Sequence, residues 1–162
     1  MDFGDKKIII GLIVVIVAGL ASYYFFGLRG NIASAGGVIL VSPTEYDLGE
    51  VPYEGGIVVR EFNVENAGEE DLKISSLETS CGCTSAQIIY EGEESRKFGM
   101  KPNTSSWSER INPGDSATLR VFFDPTAHGP EGTGPFRRAI WVQSSGLEEG
   151  KTELQIKGTV VR

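Results

Sequence analysis

Histidine and cysteine are nearly absent: one His and two Cys stand among 162 residues. Two cysteines are too few for a disulfide scaffold. One histidine excludes most catalytic zinc sites and leaves only His128 for any Ser–His or Cys–His pair. Basic clusters are also lacking. The chain carries 15 Lys+Arg against 22 Asp+Glu, a net charge of −7. The first 35 residues contribute +1, from Lys6, Lys7 and Arg29 against Asp2 and Asp5, which leaves −8 on the rest. An acidic domain without a basic stripe excludes nucleic acid as partner, since phosphate binding needs clustered Lys and Arg. No paired-carboxylate pattern stands out, and Gly129–Gly134 lacks the strand, helix and Lys of a phosphate loop. No catalytic residue, no cofactor-binding residue and no small-molecule substrate are therefore assigned. With 40% hydrophobic residues the chain can nonetheless bury a core.

What is present begins with a membrane segment. Ile8 to Phe26 is an uncharged run of 19 residues, IIIGLIVVIVAGLASYYFF. As a helix it spans roughly 28 Å at about 1.5 Å per residue, close to the hydrocarbon thickness of a bilayer. Helix wins over the β-preference of its Ile and Val residues because lipid offers no partner to an open backbone. Tyr23–Phe26 place an aromatic cluster at its C-terminal edge, and Lys6-Lys7 precede it. The expected layout is a cytoplasmic 1–7, a single-pass anchor 8–26 in the cell membrane, a flexible tether 27–37 and an extracytoplasmic domain 38–162. A signal peptide cut after Ala33-Ser34-Ala35 is the rival, but the apolar run exceeds the usual 7–15 residues of such a core.

The domain reads as short strands. Ala117, Leu119, Val121 and Phe123 share one face, and Leu154, Ile156 and Val160 alternate with Glu153, Gln155, Lys157 and Thr159. Val58–Val64 alternates similarly, and 38–41, 45–48, 72–79, 85–90 and 136–144 complete eight strands. That count implies an all-β, immunoglobulin-like antiparallel sandwich. Asn66-Ala67-Gly68-Glu69 is expected to close a hairpin, and Asn112-Pro113-Gly114-Asp115 a type II turn. Glu91–Arg110 and Pro125–Pro135 read as loops without a core of their own. Trp141, within a strand, is expected in the core.

The succession Asp47-Leu48-Gly49-Glu50-Val51, Phe62 with Asn66-Ala67-Gly68, Leu72-Lys73-Ile74, Ser80-Cys81-Gly82-Cys83-Thr84, Pro113-Gly114-Asp115 and Val121–Pro125 resembles the bacterial family catalogued as domain of unknown function 1573. The resemblance runs over roughly 42–126 and rests most on the Ser-Cys-Gly-Cys-Thr element. It implies an immunoglobulin-type sandwich, related in shape to major sperm protein and Hydin-like domains, exported or membrane-anchored, with no established activity. The long 91–110 insertion departs from the family pattern.

Cys81 and Cys83 are the candidate redox or metal residues. In an extended strand both sulfurs would share a face, with the Cα atoms about 6.6 Å apart. Three readings stay open: buried structural thiols, a strained redox disulfide, or two soft ligands for Cu(I). No third ligand is evident, because Met100 and His128 sit in separate loops, where His128 reads as exposed and idle. Trp107, among serines in the insertion, is the candidate partner contact. The expected function is a non-enzymatic, membrane-tethered module docking an envelope or membrane-complex protein. The alternative is thiol redox or Cu(I) binding through Cys-Gly-Cys.

Overall fold

The computed structural model describes residues 37–100, 106–145 and 150–162. The anchor expected at 8–26 and nearly all of the tether lie outside them. No helix among the described residues is long and apolar enough to cross a membrane.

Among the described residues ten strands follow one another: β1 (Ile39–Ser42), β2 (Glu45–Pro52), β3 (Val58–Asn66), β4 (Leu72–Thr79), β5 (Thr84–Tyr90), β6 (Glu93–Glu94), β7 (Glu109–Ile111), β8 (Ser116–Phe123), β9 (Gly134–Ser144) and β10 (Lys151–Val161). They make two five-stranded sheets, ordered β1-β3-β8-β5-β6 and β2-β10-β9-β4-β7. The expected all-β, two-sheet sandwich is what the chain forms.

Alternation builds the core. Ala117, Leu119, Val121 and Phe123 of β8 face Leu154, Ile156 and Val160 of β10 and Ile140 and Val142 of β9 across the sheets, all buried. Each such Leu, Ile or Phe contributes roughly 1.5–3 kcal/mol by leaving water. In β4 the phase shifts between Ile74 and Ser76. That irregularity is why Leu77, not Ser76, joins Leu72 and Ile74 inside. Phe123 and Phe136 stack between the sheets with centroids 4.2 Å apart.

Four expectations are corrected. First, β3 and β4 form no hairpin, because they lie in different sheets. The buried Asn66 ends β3 and redirects the chain. Its Nδ2 donates to the carbonyls of Glu70 (2.8 Å) and Ile111 (2.9 Å), and its Oδ1 accepts from the amides of Val38 (3.2 Å) and Gly68 (3.0 Å). Second, the sandwich is not wholly antiparallel: the chain changes sheet between β1 and β2, and β2 pairs parallel with β10. Third, 91–110 does contribute to the core. Phe98 is buried and bridges Ala86 through paired backbone bonds of 2.9 and 2.8 Å. Fourth, Trp141 lies outside the core, half-buried between Ile140 and Val142, and its indole N–H donates to Glu153 (3.0 Å). The Asn112–Asp115 turn is as expected, with Gly114 at φ 78° and the Asp115 amide bonded to the Asn112 carbonyl at 3.1 Å.

Candidate functional site

Ser80 to Cys83 connect β4 to β5 and so pass from one sheet to the other. The Thr84 amide donates to the Cys81 carbonyl at 3.1 Å. The Cys-Gly-Cys element is therefore a turn, not the extended strand expected. Its frame is tight. The Thr79 hydroxyl lies 3.1 and 2.9 Å from the carbonyls of Cys81 and Thr84. Ser80 and Ala139 of β9 exchange two bonds of 3.0 Å, one through the Ser80 hydroxyl. The Asp124 amide, just past β8, donates to the Cys83 carbonyl at 2.8 Å.

Both thiols are free; Cys83 is buried and Cys81 half-buried. The Cys83 amide donates to Cys81 Sγ at 3.3 Å. His128 Nε2 lies 3.0 Å from the same sulfur. Arg138 Nε donates to Cys83 Sγ at 3.1 Å. The structure thus gives the lone histidine a partner that its place in a polar loop did not suggest. His128 is exposed, as expected, but not idle.

The β8–β9 loop is folded so as to deliver it. Asp124 Oδ1 accepts from the Thr126 amide (2.8 Å) and hydroxyl (2.7 Å), and the Gly129 amide donates to the Thr126 carbonyl (2.9 Å). A 3-10 turn follows at Pro130–Gly132. A Cβ on Gly132 would come within 2.7 Å of the His128 Cβ, so glycine there leaves the histidine its room. Arg162 Nη2 bonds the Pro130 carbonyl at 2.8 Å and ties the loop to the end of β10.

Electrostatics distinguish the two sulfurs. Burial pushes the Cys81 thiol up, but the bonds from the Cys83 thiol and amide and from His128, with the charge of Arg138, outweigh it. The thiol settles at about 7. Burial, then the neighbouring Cys81, push Cys83 up, against the opposing bond from Arg138. Cys81 is thus the first to become a thiolate. Cys81, Cys83 and His128 place their three ligand atoms within 4.8 Å of one another. Such a set can hold a soft ion, exchange disulfides or act as a nucleophile. The groove beside it, lined by Ile57, Cys83, Lys97 and Phe122 among others, holds about 200 Å³. Small-molecule pockets ordinarily hold about 300–1,000 Å³.

Trp107 belongs elsewhere. It is half-buried against the core, its ring 4.6 Å from that of Phe98 and tilted by 47°. The sequence reading missed His128 and Arg138 as neighbours of the cysteines. For Arg138 a signal existed: it occupies the inward parity of β9, between Phe136 and Ile140, where a charge needs a buried partner.

The domain is similar to a protein of unknown function from Porphyromonas gingivalis W83, with TM-score 0.59 and 20% identity, over 81% of this chain and 50% of that one. This chain therefore spans about half the length of that protein. A family 123 glycoside hydrolase from Clostridium perfringens is similar at TM-score 0.53 and 11% identity, over 74% of this chain and 23% of that one. The PapD-like domain 7 of human CEP192 gives 0.48 and 14%, over 82% and 92%. At these identities the first two likenesses show the fold alone. No curated protein matches the chain. Residues 39–96, from β1 past β6 and including Ser80–Thr84, match the family described as Protein of unknown function (DUF1573), so the resemblance read from the sequence is borne out over that segment.

Proposed function

We propose that the chain is a membrane-tethered, extracytoplasmic docking module without enzymatic activity. The observation that carries this reading is an apolar row on the outer face of the first sheet, at the cysteine end. Ile57 is 60% exposed and Val59 is 39% exposed. Phe122 stands beside Val59 in register on β8, with Lys97 Nζ 3.6 Å from its ring centroid. Farther along the same face the surface is ionic, with Arg120 bonded to Glu61 (2.8 Å) and Glu94 (2.9 Å). Water-facing apolar side chains grouped in this way, rimmed by charge, suit protein contact. The rim holds charges of both signs, Lys97 and Arg120 with Glu61 and Glu94. The partner is accordingly an envelope protein offering an apolar residue to this row. The apolar run 8–26 with Lys6-Lys7 before it supports tethering with the domain outside.

The test is photo-crosslinking in intact membranes from the full-length chain. A photoreactive residue at 59 is expected to yield one discrete adduct that Phe122→Asp abolishes without lowering the melting temperature. The same residue at Gln143, on the opposite outer face, is expected to yield none. Equal labelling from 59 and 143 would sink the docking reading. Protease added outside the cell membrane is expected to remove the domain; protection would reverse the topology.

A second reading, chemistry at the thiols themselves, rests on the His128–Cys81 contact of 3.0 Å. A folded double Cys→Ser variant separates the two, since docking through Val59 survives it and thiol or metal chemistry does not.

A further inference from the structure

We infer that Cys81, Cys83 and His128 form a binding site for one Cu(I) ion. The inference does not rest on docking, because every ligand lies within the domain.

Geometry comes first. With metal–sulfur bonds of about 2.3 Å and a metal–nitrogen bond of about 2.0 Å, a trigonal site places its sulfurs about 4.0 Å apart and each sulfur about 3.7 Å from the nitrogen. The three ligand atoms already lie within 4.8 Å of one another. The Cys81–His128 distance of 3.0 Å must open by less than about 1 Å, and the exposed histidine can supply that movement. The turn that carries the cysteines is already held in place, by the Thr79 hydroxyl and by backbone bonds of Ser80 and Asp124.

The kind of metal follows from three features. Two thiolates and an imidazole are soft ligands, which select Cu(I) or Zn(II) over Mg(II) or Ca(II). Among the described residues no fourth Cys, His, Asp or Glu joins the group. Structural zinc ordinarily takes four protein ligands, whereas three suit a trigonal Cu(I) or a zinc with an open position, so the count alone leaves both. Charge then decides. Two thiolates and one monovalent ion leave one negative charge, and Arg138, bonded to Cys83 Sγ at 3.1 Å, cancels it. A divalent ion would leave a positive charge uncompensated in a partly buried place, which is costly. Arg138 and the Cys83 amide also orient the two sulfurs from outside the ligand set, as outer-shell partners do in metal sites. Binding forms two S–Cu bonds and one N–Cu bond, releases the thiol protons to solvent and transfers no electron.

The experiment is a competition titration of the full-length protein in detergent, reduced and free of oxygen, against Cu(I) held by bicinchoninate. One equivalent of Cu(I) is expected to move to the protein, and X-ray absorption of that complex is expected to show two sulfur neighbours and one nitrogen. Cys81→Ser and Cys83→Ser are each expected to weaken binding more than about 100-fold, beyond the 10–100-fold cost of outer-shell changes. His128→Ala is expected to weaken it about 10-fold or more and to remove the nitrogen signal; its exposed side chain makes loss of fold no explanation. Gln143→Ala is the control, because that exposed side chain lies on the outer face of the opposite sheet, and binding is expected to be unchanged. Failure of the folded, reduced protein to take Cu(I) would overturn the inference. Tighter binding of Zn(II) than Cu(I), or undiminished binding in His128→Ala, would overturn it equally. Loss of the crosslink at position 59 with Cu(I) binding intact would count against docking alone.

Discussion

His128 Nε2 lies 3.0 Å from Cys81 Sγ, although 47 residues separate them. The contact exists because two connections meet at one end of the sandwich, the β4–β5 turn that changes sheets and the β8–β9 loop. It makes a prediction about reactivity. Cys81 sits at about 7 rather than 9.0, through bonds and a charge that overcome its burial. Its carboxamidomethylation rate by iodoacetamide, read residue by residue by mass spectrometry, is expected to rise with pH to a midpoint near 7. Removing donors destabilises the thiolate, so His128→Ala and Arg138→Gln are each expected to move the midpoint upward and slow the reaction at pH 7. Cys83, pushed up, is expected to react later. An unchanged midpoint in both variants would refute the account of the site's charge.

Asn66 carries the sheet change. Its fully buried side chain serves four backbone groups, two of them at β3–β4 and two belonging to Val38 and Ile111. Asn66→Ala removes these four bonds, at roughly 1–3 kcal/mol for each backbone group left unpaired where water cannot reach. The expected loss is about 3 kcal/mol, seen as a lower urea midpoint with an unchanged slope. Asn66→Asp is expected to be no better, because it turns the Nδ2 donor toward two carbonyls into an acceptor. A midpoint shift below about 1 kcal/mol would show that solvent replaces these bonds.

How much of this was legible depends on range. Period-two alternation located β8 and β10 and their buried faces, because a strand's two sides are a property of adjacent residues. Asn66–Glu69 was read as a hairpin because its turn chemistry is local, while the choice of sheet is made by bonds from Val38 and Ile111, far away in sequence. Phe98 went unread for want of any period around it. Ser80–Thr84 was visible as the site, but not its curled geometry, which depends on Thr79, Ala139 and Asp124. His128 carried no local mark at all. Arg138 did carry one, as a charge at an inward position of β9.

Trp107 behaves as part of the core's cover. Its ring packs on Phe98, which is 4% exposed. Complete burial of an aromatic is worth about 3–5 kcal/mol on truncation to Ala, and half-burial roughly 2. Trp107→Ala is therefore expected to lower the melting temperature by several degrees, with or without membranes and partner. A residue serving contact alone would leave the melting temperature of the purified protein unmoved, which is the outcome that would favour the partner-contact expectation.

Asp115 is expected to contribute to acid sensitivity. The Tyr90 hydroxyl, 2.7 Å away, and the Asn112 amide, 3.1 Å away, hold its carboxyl below the usual 3.8. A carboxyl lowered in the folded state contributes stability that is present above its unfolded value and is lost as pH falls through the folded one. The window is therefore below about pH 4. Tyr90→Phe and Asp115→Asn are expected to lower stability at neutral pH and to flatten its fall in that window. Melting curves collected between pH 3 and 7 measure both, and parallel curves for wild type and Asp115→Asn would exclude the contribution.

Gly158 makes the opposite case to Gly82, where an added Cβ would meet no atom within 4 Å. It sits where the β2–β10 register shifts, between Lys157 and Thr159, and opposite Phe136 on β9. A Cβ there would come within 2.8 Å of the Gly49 carbonyl and 3.1 Å of two Phe136 ring carbons. The carbonyl belongs to the neighbouring strand, and Phe136 is held from behind by its stack on Phe123, so neither can yield cheaply. Gly158→Ala is expected to cost about 1–3 kcal/mol, as overpacking does, and Gly158→Val more. Because Phe123 pairs in register with Thr84 at the start of β5, the disturbance is expected to reach the cysteine turn and change Cys81 alkylation as well as the melting temperature. Gly82→Ala, made in the same background, is expected to alter neither. A stable Gly158→Ala with normal Cys81 reactivity would mean that the edge strand β2 is free to separate from β10 at that point.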